Sequence, residues 1–385
     1  MSLQMVDLKT QYHHIKEEID REIQDVIESC MFIGGPKVAA FRENLEQYLG
    51  VKHVIPCANG TDALQIAMMA LDLQPGDEVI VPAFTYVATA EVIGLLGLVP
   101  VMTDVHPHTF NITAEQIERV MTPKTKAIVP VHLFGQSADM EPILELARWH
   151  NLFVIEDNAQ AIGAVYGFED RGIQKTGTMG HFGCTSFFPS KNLGCYGDGG
   201  ALMTNDDELA HKARTIANHG QSRQYYHDLI GVNSRLDAIQ AAVLNVKLQR
   251  LDTYNAARRQ AAETYNKAFA GIDGLITPVR MPNSTHVYHQ YTLQVRDLPG
   301  EASLPGARRD ALKAYLGEHG IPAMVYYPVP LYRQAAYSHY WSGPEEGLPV
   351  TEALCNSVIS LPMHSEMSEA VLNRIIGGVK DFFEG

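Results

Sequence analysis

Short β-rich runs and helix-length amphipathic stretches alternate through the first two-thirds of this 385-residue chain, and no other feature narrows its fold as much. The runs are His53–Cys57, Glu78–Pro82, Val99–Asp104, Lys126–Val131, Leu152–Glu156, Gly183–Phe188 and Gly200–Thr204. Between them lie Asp62–Leu71, Ala88–Leu96, Ala114–Met121 and Met140–Asn151. Strands separated by helices of about ten residues predict a mostly parallel sheet with helices on both faces. Runs such as Glu78-Val-Ile-Val-Pro82 fit burial on both sides. Seven of them make one large α/β domain with a seven-stranded sheet between helices.

The pattern changes near residue 235. Arg235–Ala270 reads as one or two long helices, because Leu236, Ile239, Ala242, Val243, Val246 and Leu248 recur at helical spacing. A strand-like Gln290–Arg296, a loop at Pro299–Pro305, a helix at Ala307–Glu318, a strand-like Ala323–Tyr327 and a final helix at Glu366–Phe382 follow. A boundary inside the long helical stretch divides the chain into a large domain, residues 1–250, and a smaller α+β domain, residues 251–385.

Thirty basic against 44 acidic residues leave a net charge of −14. Such a surface repels phosphate backbones, so nucleic acid is not an expected partner. The longest apolar stretch, Val92–Met102, is too short for a membrane span and contains glycine and proline. Met1–Lys16 is polar and reads as no signal peptide. Five scattered cysteines argue against a disulfide framework. The expectation is a soluble, cytoplasmic protein with no membrane contact.

Four segments carry chemistry. Ser186-Phe-Phe-Pro-Ser-Lys191, followed by a glycine-rich return, puts a lysine just past a buried strand, where parallel sheets place ligands and an amine can form a Schiff base with an aldehyde. Val154-Ile-Glu-Asp157 runs an apolar strand into an acid, which suits a protonated pyridine nitrogen. Cys57-Ala-Asn-Gly60-Thr61 is a strand, a glycine turn and a helix start, a phosphate site without basic side chains. Pro82-Ala-Phe-Thr-Tyr86 puts an aromatic ring after another strand. Alone, each is weak: surface lysines, helix caps and core aromatics are common. Together they supply what pyridoxal 5′-phosphate requires. The chain has neither a Gly-x-Gly-x-x-Gly after its first strand nor a P-loop, and its 16 histidines include no His-Glu-x-x-His, so no metal site is expected.

These segments, with Gly76-Asp-Glu-Val-Ile-Val-Pro-Ala-Phe-Thr-Tyr86, Glu156-Asp-Asn-Ala-Gln160 and Gly231-Val-Asn-Ser-Arg-Leu-Asp-Ala-Ile-Gln-Ala-Ala242, resemble the sugar-nucleotide aminotransferases of the DegT/DnrJ/StrS type. That family is pyridoxal-phosphate-dependent, with the aspartate-aminotransferase-like fold type I. Gly220-Gln-Ser-Arg223 and Tyr327-Pro-Val-Pro-Leu331 resemble, within it, the enzymes that aminate C3 of a UDP-linked 2-acetamido-3-oxo-hexuronic acid with L-glutamate, for polysaccharide or lipopolysaccharide biosynthesis. The resemblance implies that Lys191 binds the coenzyme covalently and shuttles the proton, that Asp157 pairs with the ring nitrogen, and that Gln160 touches the ring hydroxyl. It gives Gly60, Thr61 and Ser186 the phosphate and Tyr86 the ring face. Asn233 and Arg235 would act across a homodimer interface, Asn233 on the phosphate and Arg235 on the sugar carboxylate. Phe32, Gly35, Tyr326 and Tyr327 would line the sugar pocket. Tyr326 and Tyr332 stand where many members have histidine. A 4-keto-6-deoxy nucleotide sugar is the alternative substrate, and a non-catalytic regulatory protein the alternative class.

Overall fold

The computed structural model describes residues 3–297 and 304–384. All seven expected strands form: β1 (His53–Cys57), β2 (Glu78–Pro82), β3 (Val99–Thr103), β4 (Thr125–Ile128), β5 (Phe153–Asp157), β6 (Phe182–Ser186) and β7 (Gly200–Thr204). They make one sheet in the order β1-β7-β6-β5-β4-β2-β3. Pairing is antiparallel on both sides of β7 and parallel elsewhere, so β7 alone runs against the other six. The central strands have no solvent face: Val79, Ile80 and Val81 of β2 and Val154 and Ile155 of β5 are all fully buried. The C-terminal ends of the six co-directional strands therefore share one edge of the sheet, where short turns lead into loops or helices.

The helices are α1 (Leu8–Ser29), α2 (Gly35–Leu49), α3 (Gly60–Ala70), α4 (Ala88–Leu95), α5 (Ala114–Val120), α6 (Met140–His150), α7 (Asp207–Ala217), α8 (Ala238–Leu248), α9 (Leu251–Phe269), α10 (Ala307–Glu318), α11 (Pro349–Ser357) and α12 (Glu369–Glu384). On one face α3, α4 and α7 bury Leu64, Ile93 and Ile216 against Ile55, Val79, Val81 and Leu202. On the other, α5 and α6 set Ile117 and Ile143 on Ile80, Ile128 and Val154, while α2 and α8 cover Val54, Ala201 and Met203. Beyond α8 a three-stranded antiparallel sheet, β8 (Leu275–Ile276), β9 (Tyr291–Val295) and β10 (Val358–Leu361), packs on α9, α10 and α12 around Tyr265, Leu293, Leu316 and Ile375.

Several elements differ from expectation. Ala323–Tyr327 is not a strand: only Met324 pairs, with Ser360, and Pro322, Pro328 and Pro330 deny the flanks a ladder. The long helical stretch, by contrast, forms two helices as the spacing allowed, broken at Gln249–Arg250, where the Arg250 guanidinium turns back to the Val246 carbonyl at 3.0 Å. Residues 299–303 of the expected loop lie outside the described residues. No helix among the described residues is long and apolar enough to cross a membrane, and all five cysteines are free.

Candidate active site

Three chain segments meet where β1 and β6 end and β7 begins. Asn59 caps α3, its Oδ1 accepting from the Asp62 N–H at 2.8 Å, so the first N–H groups of the helix, at Gly60 and Thr61, have no helical partner. Gly60 lies against Ser186: a Cβ there would sit 2.7 Å from the Ser186 Cβ. Gly200 is equally committed, its missing Cβ 2.3 Å from the Asn59 carbonyl carbon. Ser186 Oγ accepts from the Phe188 N–H at 3.3 Å, which leaves its O–H free to donate. Two free N–H groups, a hydroxyl and a helix N-terminus form an anion cradle without a cation.

Asp157, at the end of β5, is 6% exposed. Its Oδ2 accepts from Thr89 Oγ1 at 2.8 Å and its Oδ1 from the Ala159 N–H at 3.1 Å. The pleat turns the preceding residue, Glu156, to the opposite face, where its carboxylate accepts from the N–H groups of Gly177, Met179 and Gly180 at 2.6–2.7 Å and from His132 Nε2 at 2.8 Å. His132 Nδ1 accepts from the Ala138 N–H, which puts the ring proton on Nε2 and makes His132 a neutral donor to Glu156. The His132 N–H also holds the Asp157 carbonyl at 3.0 Å. One histidine thus fixes both residues of the acid pair.

Lys191 follows β6 in a turn closed by its own N–H on the Phe188 carbonyl at 2.8 Å. Burial lowers its pKa to about 8, with the Asp157 charge pulling the other way. Burial also brings Lys247 to about 8, but that ammonium donates to the Gly194 carbonyl at 2.8 Å and lies over the Tyr196 ring. Lys191 Nζ makes no hydrogen bond among the described residues. Its neighbour Asn192 donates to Asn255 Oδ1 at 2.7 Å and to the Val287 carbonyl at 3.0 Å. Arg258 clamps the carbonyls of Tyr288 and His289. His289 is held well below the ordinary imidazole value by burial, with the Lys191 and Arg258 charges adding to it, and its buried Nδ1 has no partner among the described residues. Thr85 Oγ1 is orphaned in the same way. Buried polar atoms without partners mark a place where something else completes the bonding.

Gln160 accepts from the Phe134 N–H at 2.6 Å and donates to the Tyr327 hydroxyl at 3.2 Å. The ring of Tyr86, 57% exposed, lies 6.3 Å from that of Tyr327. Tyr326 is half-buried and joined to Tyr327 by a cis peptide bond. Tyr332 is spent on the fold: its ring stacks on Trp341 at 4.2 Å, and its hydroxyl bridges Glu352 and the Leu348 N–H.

The other expected residues form a second group. Ile33 pairs with Asp237, the Phe32 carbonyl accepts from the Ala238 N–H at 2.9 Å, and Gly35 and Arg235 line one cavity of about 320 Å³ with Arg42, Arg214 and Asn218. Asn233 and Arg235 are exposed, and Arg235 reaches Asn218 Oδ1 at 3.5 Å. The tie to the cradle is Ser234, whose Oγ accepts from the Ala58 N–H at 3.0 Å. The sequence reading missed Thr89, His132, Glu156, Asn192 and His289; the histidine in His132-Leu-Phe-Gly135, between two strand signals, was the one available cue.

Known proteins resemble this chain over its whole length. A pleiotropic regulatory protein of Geobacillus stearothermophilus is 44% identical over 386 residues, covering 100% of this chain and 99% of its own. UDP-2-acetamido-2-deoxy-3-oxo-D-glucuronate aminotransferase of Pseudomonas aeruginosa is 44% identical over 97% of this chain and 98% of its own. Among solved structures, Streptomyces venezuelae DesV in complex with a ketimine intermediate superposes with a TM-score of 0.93 at 36% identity, covering 100% of this chain and 99% of its own. Bacillus subtilis NtdA with bound cofactor PMP superposes with a TM-score of 0.86 at 30% identity, covering 96% and 82%. The DegT/DnrJ/EryC1/StrS aminotransferase model matches residues 13–380, and the chain, an α/β protein of fold type I, belongs to that family.

Proposed function

We propose that the protein uses pyridoxal 5′-phosphate to transfer the amino group of L-glutamate to the C3 keto group of a UDP-linked 2-acetamido-3-oxo-hexuronic acid, in the cytoplasm, for a cell-surface polysaccharide or lipopolysaccharide. The observation that carries this reading is Lys191: an amine brought to about 8 by burial, without a hydrogen bond among the described residues, and electrostatically coupled to Asp157. The UDP-sugar relative at 44% identity supports the substrate.

The residues fit the coenzyme. Gly60, Thr61 and Ser186 would hold its phosphate, Asp157 the ring nitrogen, Gln160 the ring hydroxyl, Tyr86 the ring face, and Lys191 the carbonyl carbon. Bound, the coenzyme supplies an electron sink. Lys191, neutral for part of the cycle, takes the proton from the α-carbon of glutamate and later delivers one to C3 of the sugar. Asp157 would pair with the ring nitrogen through a hydrogen bond, supporting that electron sink. Arg235 suits a hexuronate carboxylate, which its planar fork binds through two bonds. Asn233 and Arg235 are exposed and neither hydrogen-bonds Lys191, Asp157 or Gln160 among the described residues, which supports a homodimer in which each chain completes its partner's site. Tyr326 and Tyr327 line the sugar pocket from the smaller domain, residues 251–385.

The test is incubation with UDP-2-acetamido-3-oxo-glucuronate and L-glutamate while following 2-oxoglutarate. Release supports the reading. Release only with a 4-keto-6-deoxy nucleotide sugar moves the substrate to that class, and bound coenzyme without turnover on either sugar overturns the enzyme reading in favour of regulation.

A further inference from the structure

Thr89 is fully buried in the first turn of α4, three residues after Tyr86. At that position no earlier turn of the helix offers its hydroxyl a carbonyl to bond back to. Instead it donates to Asp157 Oδ2 at 2.8 Å, across 68 residues of sequence. The other oxygen takes only the Ala159 N–H, at 3.1 Å, and no other described residue donates to either. The Asp157 carboxylate therefore rests on one backbone group and one side-chain hydroxyl.

We propose that Thr89 is a positioning residue for amino transfer: its hydroxyl fixes the plane of the Asp157 carboxylate, so that the group keeps one orientation toward the ring nitrogen it would meet. The proposal rests on the assignment of Asp157 to the ring nitrogen. A buried hydroxyl donating to one carboxylate oxygen holds the group in a single plane. Held in that plane, Asp157 would keep its hydrogen bond with the ring nitrogen, which supports the ring as an electron sink. Without the Thr89 hydroxyl the carboxylate is free to rotate about its Cβ–Cγ bond, and that hydrogen bond would weaken. No water readily replaces the donor, because the site is buried and a valine would fill the volume with methyl groups.

The experiment uses the holoenzyme of Thr89→Val, Thr89→Ser and Asp157→Asn. It reads the nitrogen chemical shift of ¹⁵N-labelled coenzyme, the pH titration of the coenzyme's visible absorbance, and the single-turnover rate with L-glutamate. Thr89→Val is expected to move the nitrogen signal toward the unprotonated position and to slow the glutamate step about tenfold, the equivalent of one charge-assisted hydrogen bond. Thr89→Ser should restore both readouts, and Asp157→Asn should exceed both effects. A Thr89→Val protein with wild-type signal, titration and rate, beside an impaired Asp157→Asn, overturns the role of Thr89 alone. Wild-type behaviour of Asp157→Asn overturns the assignment of Asp157 itself. Should the valine variant fail to fold, Thr89→Ala gives the same readouts.

Discussion

Lys191 lowers the stability of the empty protein, and the amount can be worked out. Its folded-state value of about 8 lies well below the ordinary 10.5. At about 1.36 kcal/mol per unit, that difference is about 3 kcal/mol against the folded state wherever the unfolded chain would carry the charge. The sign follows from proton counting. Between pH 8 and 10.5 the unfolded chain binds the proton and the folded chain does not, so stability rises with pH. The cost is full below about pH 8 and gone above 10.5. Lys191→Met keeps the length of the side chain and removes the charge, so the coenzyme-free variant should be more stable than wild type by about 3 kcal/mol at pH 7 and by about 1 kcal/mol at pH 9.5. Urea unfolding of both apoproteins at one fixed protein concentration measures this. A gain that does not change between the two pH values, or a variant less stable at pH 7, would refute the claim that burial of this amine sets its chemistry.

The same amine predicts how the apoprotein captures the coenzyme. The rate of pyridoxal phosphate uptake should climb with pH and level off above about 8, as the neutral amine becomes dominant. In Asp157→Asn the plateau should begin at lower pH, since the Asp157 charge holds the lysine value up; stopped-flow absorbance reads both profiles, and identical curves would deny the coupling. Gly60→Ala puts a methyl group 2.7 Å from the Ser186 Cβ, so coenzyme affinity measured by fluorescence titration should fall at least about tenfold, with no change counting against the cradle. Two inactive variants, Lys191→Ala and Arg235→Ala, mixed in equal amounts and reassorted, should regain about a quarter of wild-type turnover if each site draws on both chains of a two-fold dimer. A mixture as inactive as its parts would place both residues in one chain's site.

The sheet was legible because strands buried on both faces write themselves as apolar runs, as Val79–Val81 and Val154–Ile155 do. The N-terminal helices were not. Of its 22 residues α1 buries only Ile15, Ile19 and Val26, a stripe too thin to stand out in a polar segment, and its partner α8 is more than 200 residues away. Ala323–Tyr327 misled for the opposite reason: its β-forming residues sit between prolines, and only Met324 found a ladder partner. Gly60, Asp157 and Lys191 could be read because the chemistry lies at strand ends, where chain order already gives the location. Thr89, His132 and Glu156 could not. A threonine in an apolar helix or a glutamate in a strand has nothing in its sequence neighbourhood to show which partner the fold brings to it, and Tyr332, standing where many members have histidine, is accounted for by its contacts with Trp341 and Glu352.

Everything rests on where the coenzyme is attached, and borohydride reduction of the loaded protein followed by peptide mass mapping measures that. The account predicts a pyridoxyl-phosphate adduct on the peptide containing Lys191, lost in Lys191→Ala. An adduct on Lys247, the other lysine brought to about 8, or on any lysine other than Lys191, would contradict it.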